Sequence, residues 1–335
     1  MPEAISAASA IFHFEPSADR ARFLDRRMRL RLRDSLAHIF EQSRDHLTLH
    51  RTQLDRFLSR LAAYPVSPLA FSLYCDLVIA IEGDELDEAG HLIDELVALP
   101  WHRPGLEILD LGDPQRDPVA QRYARFIDSD PDVPFQIFPP SAKAAEACRR
   151  QIYDALALMD AGDRKLAEEI RALLREVILA AGTEDPKALT FDGASAFMLW
   201  GAIIINANRQ DGELGMVQML AHESAHNLLF GMTTDEPLLF NSPEERFASP
   251  LRADPRPLEG IYHATFVAAR MYRALRVLLE SRGLSAIQET QARKDLADNL
   301  RFFKLGSDTI KRHGRLTDMG EAIFQNVCGY MADAE

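Results

Sequence analysis

Apolar residues recur every three to four positions along most of the chain, the period of helices that bury one stripe. Phe23, Leu24, Met28, Leu32, Leu36, Ile39 and Phe40 mark one such segment and Leu86, Leu92, Ile93 and Leu96 another, so residues from about 18 to 100 are expected to be helical. Two more helices are expected at roughly 141–160 and 163–181, parted by Ala161-Gly162-Asp163. The pattern changes at Phe197-Met198-Leu199-Trp200-Gly201-Ala202-Ile203-Ile204-Ile205. This run is apolar, β-branched at its end and closed by Asn206-Ala207-Asn208, which predicts a buried strand and a polar turn. The next helix has Asp211 placed to cap it, Glu213 in its first turn and Gly231 as a natural stop. Val217, Leu220, Ala221, Ser224 and Leu228 give it a core face. A long helix beyond Gly260 through Leu278 and at least two more complete the chain. The expected class is α+β, predominantly α-helical. Asp128–Pro134 and Pro139-Pro140-Ser141 mark a boundary between a helical N-terminal region, 1–135, and a second domain, 136–335.

Beside the core face of the Asp211 helix runs a second stripe: Met219, His222, Glu223, His226 and Phe230. His222 and His226, four residues apart, stack on one side of the helix, where two neutral imidazoles can grip a divalent metal with Glu223 beside them. The plainer alternative is a core histidine pair with an exposed glutamate. His263, 37 residues after His226, lies near the start of the following helix. A third ligand from a second helix is the zincin-like arrangement, with Glu259, one turn earlier, as the fallback. His313, in the basic helix end Lys311–Arg315, is a lesser candidate, and His46 and His50 sit in a charged stretch and are expected to be solvated. A strand edge beside a metal would also let an extended peptide add as another strand.

Between the two metal helices, Pro250, Pro255 and Pro257 stiffen a loop that presents Arg252 and Arg256. A guanidinium fork near a metal can hold a carboxylate bidentately. The ordinary alternative pairs these arginines with Asp254 or Glu245.

A net charge of −13 excludes extensive contact with nucleic-acid backbone. Seven arginines (20, 22, 26, 27, 29, 31 and 33) crowd into about four turns, a run expected to be a solvated face, with docking of an acidic peptide as the other use. Cys75, Cys148 and Cys328, far apart and odd in number, are expected to be reduced and buried. No basic stretch precedes an apolar run near Met1, and the longest apolar run, Ala196–Ile205, is too short for a bilayer. A cytoplasmic, non-membrane protein is expected.

The order of the strand, Leu220-Ala221-His222-Glu223-Ser224-Ala225-His226, the loop Ser249-Pro250-Leu251-Arg252-Ala253-Asp254-Pro255-Arg256-Pro257-Leu258-Glu259-Gly260 and then His263 resembles the HExxH-domain family of peptide-modification proteins. The resemblance covers about residues 140–335 and does not extend to the N-terminal helices. It implies a 2-oxoglutarate- and Fe(II)-dependent oxygenase that uses O2 to hydroxylate a side chain, at the β-carbon, of a ribosomally made peptide. His222, His226 and His263 would then hold the iron, Arg252 or Arg256 the distal carboxylate of 2-oxoglutarate, and Glu223 would orient a histidine or water. Three histidines depart from the usual pair of histidines plus a carboxylate, which keeps Glu223 and Glu259 open as ligands. The alternative is a Zn(II) peptidase of the HExxH type in which Glu223, as catalytic general base, deprotonates a metal-bound water. A metal-stabilised binding protein without turnover is the third possibility.

Overall fold

The apolar period near the start is realised as a 25-residue helix, α1 (Ala18–Gln42), whose Leu24, Met28, Leu32, Leu36 and Phe40 form one buried stripe. The computed structural model describes residues 11–43, 51–101, 105–127, 136–183, 191–209, 211–249 and 254–332. The protein is mainly helical with a small mixed sheet, in agreement with the α+β expectation. Two compact units interleave along the sequence, one from residues 1–21, 150–170 and 211–335, the other from 22–149 and 171–210. The boundary expected at Asp128–Pro134 lies outside the described residues.

The second unit holds most of α1, then α2 (Arg51–Ala63), α3 (Leu69–Glu82), α4 (Leu86–Ala98), α5 (Pro118–Ile127) and a sheet. Its strands are β1 (Glu107–Asp110), β2 (Ile137–Phe138), β3 (Glu176–Gly182), β4 (Gly193–Ala194) and β5 (Ala202–Asn206). The order is β1-β3-β5-β4, with β1, β3 and β5 parallel, β4 antiparallel to β5, and β2 antiparallel to the end of β3. Every residue of β3 and β5 is buried. Parallel strands covered on both faces show no alternation of apolar and polar residues, which corrects the expected helix over 163–181. That helix stops at Leu173, and Val177-Ile178-Leu179 pair instead with Ile203-Ile204-Ile205.

The strand expected at 197–205 is likewise shorter. Phe197–Leu199 makes a single 3-10 turn, and Gly201 turns the corner at φ 87°, a value that disfavours any side chain, before β5 begins. With β3 on one side and β4 on the other, β5 is an interior strand rather than the open edge expected for an added peptide. Along β1 the chain places a charge: Arg149 donates to the Ile108 carbonyl at 2.9 Å and pairs with Asp110 at 2.6 Å, a guard against further strand addition.

The arginine run of α1 is not uniformly a solvated face. Arg29 is buried, pairs with Asp25 at 3.1 Å and donates to the carbonyls of Leu61 at 2.6 Å and Tyr64 at 3.1 Å. It thus satisfies carbonyls that the end of α2 leaves without partners in the helix. Arg22, Arg26 and Arg31 are exposed. Of the cysteines, all free, Cys148 alone is buried, and burial pushes its thiol up to about 11; Cys75 and Cys328 are half-buried.

The first unit contains the C-terminal part of α6 (Ala142–Gly162), most of α7 (Arg164–Leu173), and α8 (Gly212–Met232), α9 (Leu258–Ser281), α10 (Ala286–His313) and α11 (Asp318–Ala332). Asp163 receives the Leu166 amide at 3.4 Å at the start of α7, and Ser285 opens α10 with a reciprocal capping box to Gln288. Helix α9 is buried on nearly all sides, and two of its buried residues are charged. Arg270 pairs with Glu169 and donates to the Phe14 carbonyl at 2.9 Å, while Arg273 pairs with Asp163 and with Glu15 at 3.0 Å. Glu169 also accepts from Arg20 at 2.6 Å and from the Ser17 amide at 2.8 Å. Arg20 is therefore another member of the arginine run that serves the interior. No helix among the described residues is long and apolar enough to cross a membrane.

Candidate metal centre

Helix α8 buries the face its sequence period points inward: Val217, Leu220, Ala221, Ser224 and Leu228 are all within a few per cent of fully buried. Each large apolar member contributes roughly 1.5–3 kcal/mol by leaving water, which fixes the helix's rotation about its axis. Its start and stop differ from expectation in detail. Asp211 makes no capping hydrogen bond through its side chain, and the helix runs one residue past Gly231 to Met232, with Thr233 at its C-cap. The fixed rotation leaves Met219, His222, His226 and Phe230 half-buried, with Glu223 buried among them.

His263 lies in the second turn of α9, just beyond Tyr262, whose hydroxyl donates to the Gly320 carbonyl at 2.7 Å. Gly320 in turn lies so close to Leu238 that a Cβ there would run into the Leu238 carbonyl oxygen, so only glycine permits this approach. The segment after α8 is stitched to the start of α11 at the same place: Thr317 donates to Leu238 through its amide and to Pro237 through its hydroxyl at 2.8 Å. These contacts hold α9 in register at the residue next to the third histidine.

The three imidazoles meet. His222 Nε2 and His226 Nε2 are 3.2 Å apart, and His226 Nδ1 and His263 Nδ1 are 3.0 Å apart. Two nitrogens bound to one metal at about 2.0–2.1 Å, with an angle between the octahedral and tetrahedral values, are separated by about 2.9–3.4 Å. The His222–His226 pair fits that spacing. His263 meets the opposite nitrogen of His226, so the three rings run as a chain with His226 in the middle. Among the described residues, no group of three or more His, Cys, Asp or Glu side chains surrounds one point.

Burial drives the His226 imidazolium well below its ordinary range, helped by repulsion from His222 and His263. Burial alone brings His263 down to about 4. Both rings are therefore neutral near pH 7, the form in which imidazole binds a metal. In the neutral ring one nitrogen of His226 carries the proton and donates while the other accepts. Glu223 places Oε1 3.9 Å from His222 Nε2, beside the pair but beyond hydrogen-bond distance of it.

The remaining candidates separate. Arg256 forms an ion pair with Asp254, its Nε 2.7 Å away, and its backbone exchanges two 2.9 Å hydrogen bonds with Phe247, which closes the base of the loop. Arg252 and its neighbours 250–253 lie outside the described residues, as do His46 and His50. Glu259 is exposed in the first turn of α9. His313 is exposed and packs against the Phe247 ring at 4.8 Å, a surface helix end as its basic surroundings suggest. Glu245 is held by Arg315 at 2.9 Å.

Sequence pattern did not reveal the polar contact between α8 and α10, in which Gln218 donates to Asp295 at 2.9 Å and accepts from Asn299 at 3.1 Å. These residues lie about eighty positions apart, and no periodic signal links them. No protein-family model matches the chain, and no curated protein matches it.

Proposed function

We propose that this chain is a 2-oxoglutarate- and Fe(II)-dependent oxygenase that hydroxylates a side chain, at Cβ, of a ribosomally made peptide in the cytoplasm. The observation that supports this function is the His222–His226 pair, with Nε2 atoms 3.2 Å apart, and the approach of His263 from a second helix to the other nitrogen of His226. His222 and His226 would hold the metal through Nε2, and His263 would be the third ligand. Bound Fe(II), with 2-oxoglutarate and O2, supplies the oxidising power that replaces a C–H hydrogen with hydroxyl as the keto acid loses CO2. Arg256 already presents its guanidinium to a carboxylate, that of Asp254. With Asp254 exposed, an ion pair of this kind is worth only about 1 kcal/mol, so the distal carboxylate of the keto acid could displace Asp254. Arg252 shares that anchoring role in the proposal. Glu223, beside His222, orients an imidazole or a water without taking a proton from substrate.

Anaerobic addition of Fe(II) and then 2-oxoglutarate should produce the weak visible charge-transfer band of the chelated keto acid. Absence of the band, together with tight Zn(II) binding and cleavage of peptides, would overturn the proposal.

One observation favours a second reading, a zinc peptidase. The buried Glu223 carboxylate stands 3.9 Å from His222 Nε2, and a carboxylate beside a metal ligand is a group that would take the proton of a metal-bound water. Glu223→Gln separates the two: a peptidase loses nearly all turnover, whereas the oxygenase retains a substantial share.

A further inference from the structure

Phe230 lies one turn beyond His226 on α8, and its ring meets imidazoles from two different helices. Its centroid is 6.4 Å from that of His226, with the planes 24° apart, and 5.6 Å from that of His263, tilted by 43°. The two imidazoles also stack on each other, at 5.2 Å and 19°. Three rings thus close a triangle, and the one that lacks donor atoms touches both that carry them.

We infer that Phe230 is a positioning residue: its ring sets the angle at which His263 faces His226, and through it the ligand geometry offered to a bound metal. The inference rests on the metal-site proposal above. An imidazole rotates about two side-chain bonds, and His263 reaches the site from a different helix, so its ring angle depends on what packs against it. An aromatic face supplies that constraint because ring pairs favour a limited set of offset and tilted arrangements. An apolar ring beside the donors also limits water at the centre, which strengthens metal–ligand electrostatics there. Phe230 is half-buried, so its removal perturbs the folded chain less than loss of a core aromatic would.

The test uses the full chain, stripped of metal and loaded with Co(II) as the probe, as wild type, Phe230→Tyr, Phe230→Leu and Phe230→Ala. Outer partners of metal ligands typically change affinity 10–100-fold. Phe230→Leu and Phe230→Ala should therefore bind Co(II) about tenfold more weakly, with visible d–d bands altered in position or intensity. Phe230→Tyr, which keeps the ring, should restore both affinity and spectrum, while metal-free Phe230→Leu should unfold at nearly the wild-type temperature. A merely structural role would lower stability and leave the spectrum of the folded fraction unchanged, and that result overturns the inference. Wild-type spectrum and affinity in both ring-less variants would overturn it equally. Should Phe230→Ala fail to fold, the Leu and Tyr variants decide alone. If wild type itself takes up no Co(II), the metal centre fails and the inference with it, a result distinct from wild-type binding that survives loss of the ring.

Discussion

Helix α9 carries two polar clusters two turns apart, one buried and one half-buried, and they are built on opposite principles. At Arg270 and Arg273 every charge meets its complement: Glu169, Asp163 and Glu15 supply the carboxylates, and Arg20 completes the set. At His263 like meets like: three imidazoles lie in a row, and burial, with repulsion from its two neighbours, keeps the middle ring neutral. The first cluster pairs its charges within the chain and holds residues 13–20 against α7 and α9. Under the proposed function the second would gain from a cation held at His222 Nε2 and His226 Nε2. Buried polarity that pairs opposite charges within the chain serves the fold.

The comparison is broken most forcefully at Glu169. Glu169→Gln leaves Arg20 and Arg270 buried without their carboxylate and should cost about 3–5 kcal/mol in urea unfolding. His226→Ala should change metal-free stability by only about 1 kcal/mol, within the ordinary range for a point substitution, yet abolish tight metal binding. Equal destabilisation by the two substitutions would erase the distinction between the clusters.

Acid sharpens the same contrast with a smaller effect. Burial would raise the Glu169 carboxyl, but Arg270 and Arg20 outweigh it and hold the group below its ordinary range. Its contribution to stability is therefore complete above the unfolded-state value of about 4.3, and is lost as pH falls through the folded value. Asp163 has the opposite sign, because burial pushes its carboxyl up against the pull of Arg273. Urea midpoints of wild type should accordingly drop on acidification below about pH 4.3 more steeply than those of Glu169→Gln, and parallel curves would contradict this account of the cluster.

The smallest effect belongs to the loop. Arg256→Ala, which removes a half-buried side chain paired with the exposed Asp254, should alter stability by about 1 kcal/mol or less. It should still weaken 2-oxoglutarate binding to the Fe(II)-loaded protein by about tenfold, as expected when one charge-assisted hydrogen-bonding group is lost. Unchanged keto-acid affinity would remove Arg256 from the anchoring role.

Local periodicity made the helices of the N-terminal region, the core face of α8 and the length of α9 legible in the sequence, because each depends on residues three and four apart. The meeting of His222, His226 and His263 was legible for a related reason: two sit on one helix face, and the third is near the start of the next long helix. Strand β3 was not. Glu176-Val177-Ile178-Leu179-Ala180-Ala181 follows a helix directly, and its burial on both faces removes the alternation that would announce a strand. The Arg20–Glu169–Arg270 cluster was equally hidden, since its members lie 149 and 101 residues apart and each looks like a surface charge in isolation. Which nitrogen of His226 faces which neighbour was likewise beyond the sequence, because it depends on ring rotation within the packed pair of helices.

Whether a metal recruits all three rings is the point on which the proposed chemistry turns. X-ray absorption at the iron edge of the anaerobically loaded full chain counts imidazole ligands directly. Three imidazoles in wild type, falling to two in His263→Ala, is the expected result. Two in both proteins would contradict it, leaving His263 as a neighbour of His226 rather than a ligand.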